Sequence, residues 1–202
     1  MNKKAILFLN GEVPDKTPII TKYQKIFCTD GSYEYLKDLG IIPDIITGDF
    51  DSIQTEKFPE SSEIIHTPDQ NFTDFEKALQ IIKNQGFNSV DVLGASGKQQ
   101  DHFLGNLNAA YKFKDSLSIT FYDNYSTYSF ISSPFKLNNI LGKTISLFPF
   151  PETKGIITKG LEYPINNEDL NIINRIGTRN IAVDDEIEIT YQSGDLILFI
   201  MD

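Results

Sequence analysis

Glu63-Ile-Ile-His66, Thr73-Asp74-Phe75-Glu76-Lys77-Ala78-Leu79-Gln80-Ile81-Ile82-Lys83-Asn84 and Val90-Asp91-Val92-Leu93 read, in that order, as strand, helix and strand. In the middle segment Phe75, Leu79 and Ile82 share one helical stripe with Phe72, and Ala78 lies beside it. Thr73 followed by Glu76 is a capping box, so the helix is expected over 73–84. The flanking runs are short, apolar and continuous. That texture suits parallel strands buried on both faces.

The same alternation extends outward. Further strands are expected at Ala5–Leu9, Lys25–Thr29, Ile45–Thr47 and Ser118–Tyr122. Further helices are expected at Tyr33–Leu39 and Asp101–Phe113, the latter with Phe103, Leu107 and Ala110 facing inward. Strand and helix in alternation imply an α/β fold, a Rossmann-like parallel sheet flanked by helices. After Asp123 the helical period fades and period-two runs take over at Thr144–Phe148, Gly155–Thr158, Glu186–Tyr191 and Asp195–Ile200. Ile187, Ile189 and Tyr191 fall on one face of a strand, with Glu186, Glu188 and Thr190 on the other. Gln192-Ser193-Gly194-Asp195 reads as a hairpin turn. The expected organisation is an α/β domain over 1–123 and an all-β sandwich of jelly-roll type over 124–202.

The 202 residues carry a formal net charge of −10, which excludes an extended nucleic-acid-binding surface built on clustered Lys and Arg. It leaves room for a small anionic substrate, because one metal ion inverts the charge of a local site. The single cysteine, Cys28, forms no intrachain disulfide and fits a reducing cytosol. The run Ala5–Leu9 is too short for a signal peptide, and no stretch approaches the roughly 20 apolar residues of a membrane helix. The chain is read as soluble and cytoplasmic.

Polar chemistry collects after the apolar runs, at the strand ends where open parallel sheets bind ligands. Leu9 is followed by Asn10-Gly11, Thr29 by Asp30-Gly31-Ser32, and Thr47 by Gly48-Asp49-Phe50-Asp51-Ser52. His66 is followed by Thr67-Pro68-Asp69-Gln70-Asn71-Phe72-Thr73-Asp74, and Leu93 by Gly94-Ala95-Ser96-Gly97. Each tip alone is ordinary turn and capping chemistry; five in succession point to a ligand site. In an extended chain Asp49 and Asp51 would point the same way with Phe50 in the core. Two such carboxylates repel unless a cation lies between them, and hard oxygen donors suit Mg²⁺. One N-cap aspartate and one solvated turn aspartate is the plainer alternative. Asp74 sits in the first turn of its helix, where the dipole favours an anion. Gly94–Gly97 ahead of Asp101 has the form of a phosphate-cradling loop, with Lys98 beside it for charge. Gly142-Lys143-Thr144 is no Walker A loop, since Leu137 stands where that loop needs glycine. His66 and His102 do not make a zinc site; His66 is read as a strand-end residue.

Taken together, these motifs resemble thiamine pyrophosphokinases. The resemblance rests on Asn10-Gly11-Glu12, Thr29-Asp30-Gly31-Ser32 with Tyr35-Leu36, Pro43-Asp44 through Gly48-Asp49-Phe50-Asp51-Ser52, Asp69-Gln70 through Thr73-Asp74-Phe75-Glu76-Lys77-Ala78-Leu79, and Gly94–Gly97 with Asp101-His102. In the second half Ser146–Pro149, Gly160–Pro164, Gly177-Thr178-Arg179-Asn180 and Gly194–Leu198 match. The family transfers a pyrophosphoryl group from ATP to the hydroxyl of thiamine, giving thiamine diphosphate and AMP. The resemblance implies a catalytic ATP- and Mg²⁺-binding first domain and a thiamine-binding, dimerising second domain, working as a homodimer with sites between subunits. It implies that Asp49, Asp51 and Asp74 hold Mg²⁺ on the triphosphate, and that Gln70 and Thr73 line the thiamine and phosphate region. Asp30, Gly31 and the loop of Gly94, Gly97, Lys98, Gln99 and Asp101 would contact ATP, and Asn180 would reach thiamine.

The hydroxyl is expected to attack the β-phosphorus in line, with Asp74 or Asp101 as proton acceptor. The chain departs from the family pattern where Gln99 replaces the usual arginine and Ser32 a second glycine, and it has no tryptophan to stack on thiamine. Lysine lacks the bidentate fork of arginine, so Lys98 is not an equivalent replacement. Two other classes remain as alternatives: a thiamine- or nucleotide-binding regulator with weak catalysis, and a Mg²⁺-dependent phosphohydrolase.

Overall fold

A computed structural model describes residues 3–51 and 58–201. Ser52 of the Gly48–Ser52 motif lies outside the described residues. The chain divides into two compact units, Met1–Asn124 and Tyr125–Asp202.

The first unit holds strands β1 (Lys4–Phe8), β2 (Lys25–Thr29), β3 (Ile45–Gly48), β4 (Glu63–His66), β5 (Ser89–Leu93) and β6 (Ser118–Tyr122), with helices α1 (Tyr33–Asp38), α2 (Asp74–Asn84) and α3 (Gln100–Phe113). Every neighbouring pair in the order β4-β3-β2-β1-β5-β6 is parallel. The chain steps outward from β1 to β4, then crosses back to place β5 on the other side of β1. This reversal opens a crevice between the tips of β1 and β5. Leu9 N–H bonds to Leu93 O and Gly11 N–H to Gly94 O, so the two loops leave the sheet together.

Helix α2 begins where the capping pattern places it. Thr73 Oγ1 accepts from Glu76 N–H at 3.2 Å, and Phe75, Ala78, Leu79 and Ile82 are buried. The box is only half closed, because Glu76 turns its carboxylate to Lys112 of α3 at 2.9 Å. Phe72 leaves the expected stripe: it precedes the cap and is 47% exposed. In α3, Leu107, Ala109, Ala110 and Phe113 are buried. Strand β4 breaks the expectation of burial on both faces, since three of its four residues are exposed. It is the edge strand, with a neighbour on one side only.

The second unit is all β: β7 (Thr127–Ile131), β8 (Phe135–Asn138), β9 (Thr144–Lys159), β10 (Asn166–Asn171), β11 (Gly177–Ile181), β12 (Glu186–Thr190) and β13 (Ser193–Met201). The two runs expected at 144–148 and 155–158 are one strand, β9. Its first half pairs with β13 and β11, and its second with β12 and β10. Gly155, at φ 62°, lets the strand pass from one ladder to the other, and a Cβ there would lie 2.5 Å from Gln192 Cδ. The expected hairpin at 192–195 is therefore not formed. β12 and β13 do not pair; both pair with β9, so residues 191–193 make a corner. Ile145, Leu147, Ile156, Leu170, Ile187 and Leu196 belong to one buried apolar core of this unit.

Candidate active site

The tips of β1, β2, β3 and β5, the β4–α2 connection and the start of α3 enclose a pocket of about 590 Å³. That size falls within the usual range for small-molecule sites. Asp30, Gly31, Asp49, Gln70, Thr73, Asp74, Gly94, Lys98, Gln99 and Asp101 all line it. Asp51 and Gly97 do not, and Asn180 belongs to the second unit.

Asp30 is built into the floor. Only 8% exposed, its carboxylate accepts from Gly31 N–H at 2.6 Å and Phe50 N–H at 3.1 Å. Burial pushes its pKa above the ordinary carboxylate value, with the charges of Asp74 and Asp49 adding to the rise and the two N–H donors opposing it. Gly48 makes the space: a Cβ there would lie 2.3 Å from Asp30 Cγ. Gly94 adopts φ 72° and passes so close to β1 that a Cβ would meet Leu9 O at 2.2 Å. Its backbone is thereby brought to the pocket wall without side-chain bulk.

The extended arrangement of Asp49 and Asp51 is not present. Phe50 has φ 58°, and Asp51 N–H turns back to Asp49 Oδ1 at 3.2 Å. The half-buried Phe50 ring packs against Phe58, 5.6 Å between centroids, and Phe50 N–H is held by Asp30 Oδ2 at 3.1 Å. Asp49 faces Gln70, whose side-chain N–H donates to Asp49 Oδ2 at 2.9 Å. This bond, first, and the Asp51 N–H hold the Asp49 pKa below its ordinary value. Asp74 Oδ1 lies 2.8 Å from the ammonium of Lys77, which also donates to Thr67 O and Asp69 O. Lys98 Nζ donates to Asn10 Oδ1 at 3.3 Å. Gln99 is the N-cap of α3 but gives its backbone no side-chain cap. The first N–H groups of that helix are thus left to other acceptors at the pocket wall.

Among the described residues no three His, Cys, Asp or Glu gather closely enough to cage a metal. The donors do fit a hard cation that keeps water and phosphate oxygens and takes one or two carboxylates from the protein. Asp49 and Asp74 line the pocket, and the charge of each raises the pKa of Asp30, the crowding a cation relieves.

The structure also brings in residues to which the sequence reading gave no role in the site. Phe72, Lys77, His102 and Asn106 line the pocket, and Asn106 Nδ2 donates to Ala95 O at 2.8 Å. Helical spacing carries the signal for the last two, since Asn106 follows His102 by one turn of α3. In the second unit Asn180 is committed to its own chain: Oδ1 accepts from Tyr163 N–H at 3.0 Å and Nδ2 donates to Tyr163 O at 2.6 Å.

Residues 17–121 match the family model described as thiamin pyrophosphokinase, catalytic domain, and residues 134–196 the one described as thiamin pyrophosphokinase, vitamin B1 binding domain. Among curated relatives, thiamin pyrophosphokinase 1 of Caenorhabditis elegans is 28% identical over 86% of this chain and 79% of its own. Thiamine pyrophosphokinase of Bacillus subtilis is 26% identical over 92% and 91%. The crystal structure of the Bacillus subtilis protein superposes with TM-score 0.83 at 24% identity, covering 98% of both chains. That of the yeast enzyme gives 0.84 at 17%, covering 99% of this chain and 86% of the other. These structural likenesses carry the fold; the two family matches, which together span both units, carry the assignment. The chain belongs to the thiamin pyrophosphokinase family.

Proposed function

We propose that this pocket is where the chain transfers the terminal pyrophosphoryl group of ATP to thiamine. One observation carries the reading. The phosphate-type loop from Gly94 to Asp101 and the set Asp49, Gln70, Thr73 and Asp74 line a single pocket of suitable size. The thiamine hydroxyl oxygen attacks the β-phosphorus, the bond from that phosphorus to the α–β bridging oxygen breaks, and AMP leaves with the electron pair. The hydroxyl proton passes to a carboxylate, Asp74 or Asp101.

Catalysis of this kind is mostly positioning and electrostatics. The backbone at Gly94 and the uncapped start of α3 offer N–H groups to phosphate oxygens, and Lys98 supplies charge where the family arginine is Gln99. Asp30 and Gly31 shape the nucleotide side of the floor. Gln70 fixes Asp49, and Thr73 fixes the start of α2 beside Asp74. Asp49 and Asp74, with Asp51 beside them in sequence, would hold Mg²⁺. That ion, when bound, neutralises charge on the transferring group and the leaving oxygen.

The first unit is read as Rossmann-like on the strength of its parallel sheet and strand reversal, and the second as a sandwich of jelly-roll type on its antiparallel ladders. Family resemblance supports a cytoplasmic homodimer, with residues 124–202 serving thiamine binding and dimerisation. No described helix is long and apolar enough to cross a membrane. Asn180 would act on thiamine by holding the backbone at Tyr163.

The test is the product of ATP, Mg²⁺ and thiamine, read by mass spectrometry. AMP with thiamine diphosphate supports the reading. ADP with thiamine monophosphate, or ATP cleavage without need of thiamine, overturns it.

A further inference from the structure

The connection from β5 to α3 has its carbonyl oxygens tied down one after another. Gly94 O accepts from Gly11 N–H at 2.7 Å, Ala95 O from Asn106 Nδ2 at 2.8 Å, and Ser96 O from Glu12 N–H at 2.7 Å. The donors are themselves anchored. Gly11 and Glu12 continue the β1 tip, where Leu9 O accepts from Tyr35 Oη at 2.8 Å, and Asn106 lies in the second turn of α3. In a planar trans peptide the carbonyl and the N–H that follows it point in opposite directions. Holding the three carbonyls therefore sets the N–H groups of Ala95, Ser96 and Gly97. None of these three donates to another described residue, and Ala95 and Ser96 line the pocket.

Successive backbone N–H groups without an internal acceptor suit an anionic oxygen, and a carbonyl in their place repels it. The peptide joining Ala95 to Ser96 is the one a side chain controls. Gly94 O and Ser96 O are held by backbone donors, whereas Ala95 O is held by the Asn106 amide. Without that amide the Ala95–Ser96 peptide is free to rotate and to present oxygen where it now presents N–H. We propose that Asn106 is a positioning residue for the phosphates of the nucleotide: it locks the Ala95 carbonyl and, through that peptide, the Ser96 N–H in the orientation that receives a phosphate oxygen. The proposal rests on the reading of the pocket given above. It adds a residue of α3 that acts through the loop.

The test uses the full chain and the variants Asn106→Leu and Asn106→Ala, the second adding no bulk. Asn108→Ala is the control, since Asn108 is exposed on the same helix and off the pocket lining. Calorimetry in the presence of Mg²⁺ reads the binding of ATP, of inorganic triphosphate and of thiamine. NMR reads the carbonyl carbon of Ala95 in the ligand-free chain. Both Asn106 variants are expected to weaken ATP and inorganic triphosphate by the same factor, about 5- to 10-fold, and to leave thiamine binding unchanged. The Ala95 carbonyl resonance should move in both and stay in place in Asn108→Ala. An unmoved Ala95 resonance would overturn the lock. Equal weakening of thiamine would make Asn106 a general support of the fold and overturn the proposal, as would undiminished binding of triphosphate. A parent chain that binds triphosphate but forms no AMP with thiamine would overturn the reaction, while the Asn106 series still decides the positioning role.

Discussion

The side-chain amide of Gln70 donates to Asp49 Oδ2 across 2.9 Å, joining the end of β3 to the loop that leads into α2. The bond orients a carboxylate on one loop with a neutral donor on another, and it leaves Asp49 ionised and available to a cation. Gln70→Ala is expected to lower turnover roughly 10-fold or more, consistent with loss of a positioning contact. The Mg²⁺ concentration for half-maximal activity should rise with it, as read in a metal titration. Unchanged metal dependence would separate Gln70 from Asp49.

Asp49 and Asp51 are distinguished by the left-handed turn at Phe50. Asp49→Asn is expected to remove most turnover, on the order of 100-fold, with an unchanged far-ultraviolet circular dichroism spectrum. Asp51→Asn is expected to cost less, because Asp51 is exposed and off the pocket lining. Equal losses in both, measured as kcat, would show that Asp51 turns inward when substrate binds.

Gln99 stands at the head of α3, beside Lys98. Gln99→Arg is expected to lower the KM for ATP several-fold, since arginine offers phosphate a bidentate fork. Lys98→Ala should raise it about 10-fold, and the double variant should recover most of that loss. Steady-state kinetics at fixed thiamine reads all three.

Gly48→Ala drives a Cβ into Asp30, at 2.3 Å from Cγ. Overpacking of this sort costs about 1–3 kcal/mol. Chemical denaturation should show that loss, and displacement of Asp30 should raise the KM for ATP.

Cys28 is fully buried on β2, and burial pushes its thiol from the ordinary 9.0 up to about 12. The folded chain therefore holds its proton more tightly than the unfolded one. The stability this group contributes is complete below pH 9 and is lost as pH rises toward 12. At pH 8.5 iodoacetamide should label Cys28 in denaturant and spare it in the folded protein, as mass spectrometry would show.

The first unit was legible because its signals are local. The apolar runs and the Thr73–Glu76 cap place the six strands and α2 from residues a few positions apart, and tertiary contacts agree with them. The second unit was less legible. Strand β9 reads as two runs because Pro149, Pro151 and Gly155 interrupt its pattern, and only its two sets of partners make it continuous. β10 and β11 carry little periodicity; each is held as a strand by pairing with β9. Phe72 fitted the helical stripe by spacing alone, but the cap at Thr73 places it one residue too early to share the buried face.

The elements of the first unit, the strand tips as the place of chemistry and, through its motifs, the family are written into the order of residues along the chain. Those follow from periodicity, capping and residue type, which act over a few residues. Tertiary structure alone decided which of these residues face one another. Gln70 meets Asp49 from 21 positions away, Asp30 settles under Gly48, and the turn at Phe50 moves Asp51 off the pocket wall. Such pairings depend on strand order and on which side of the sheet each loop leaves, and no spacing along the chain encodes either one.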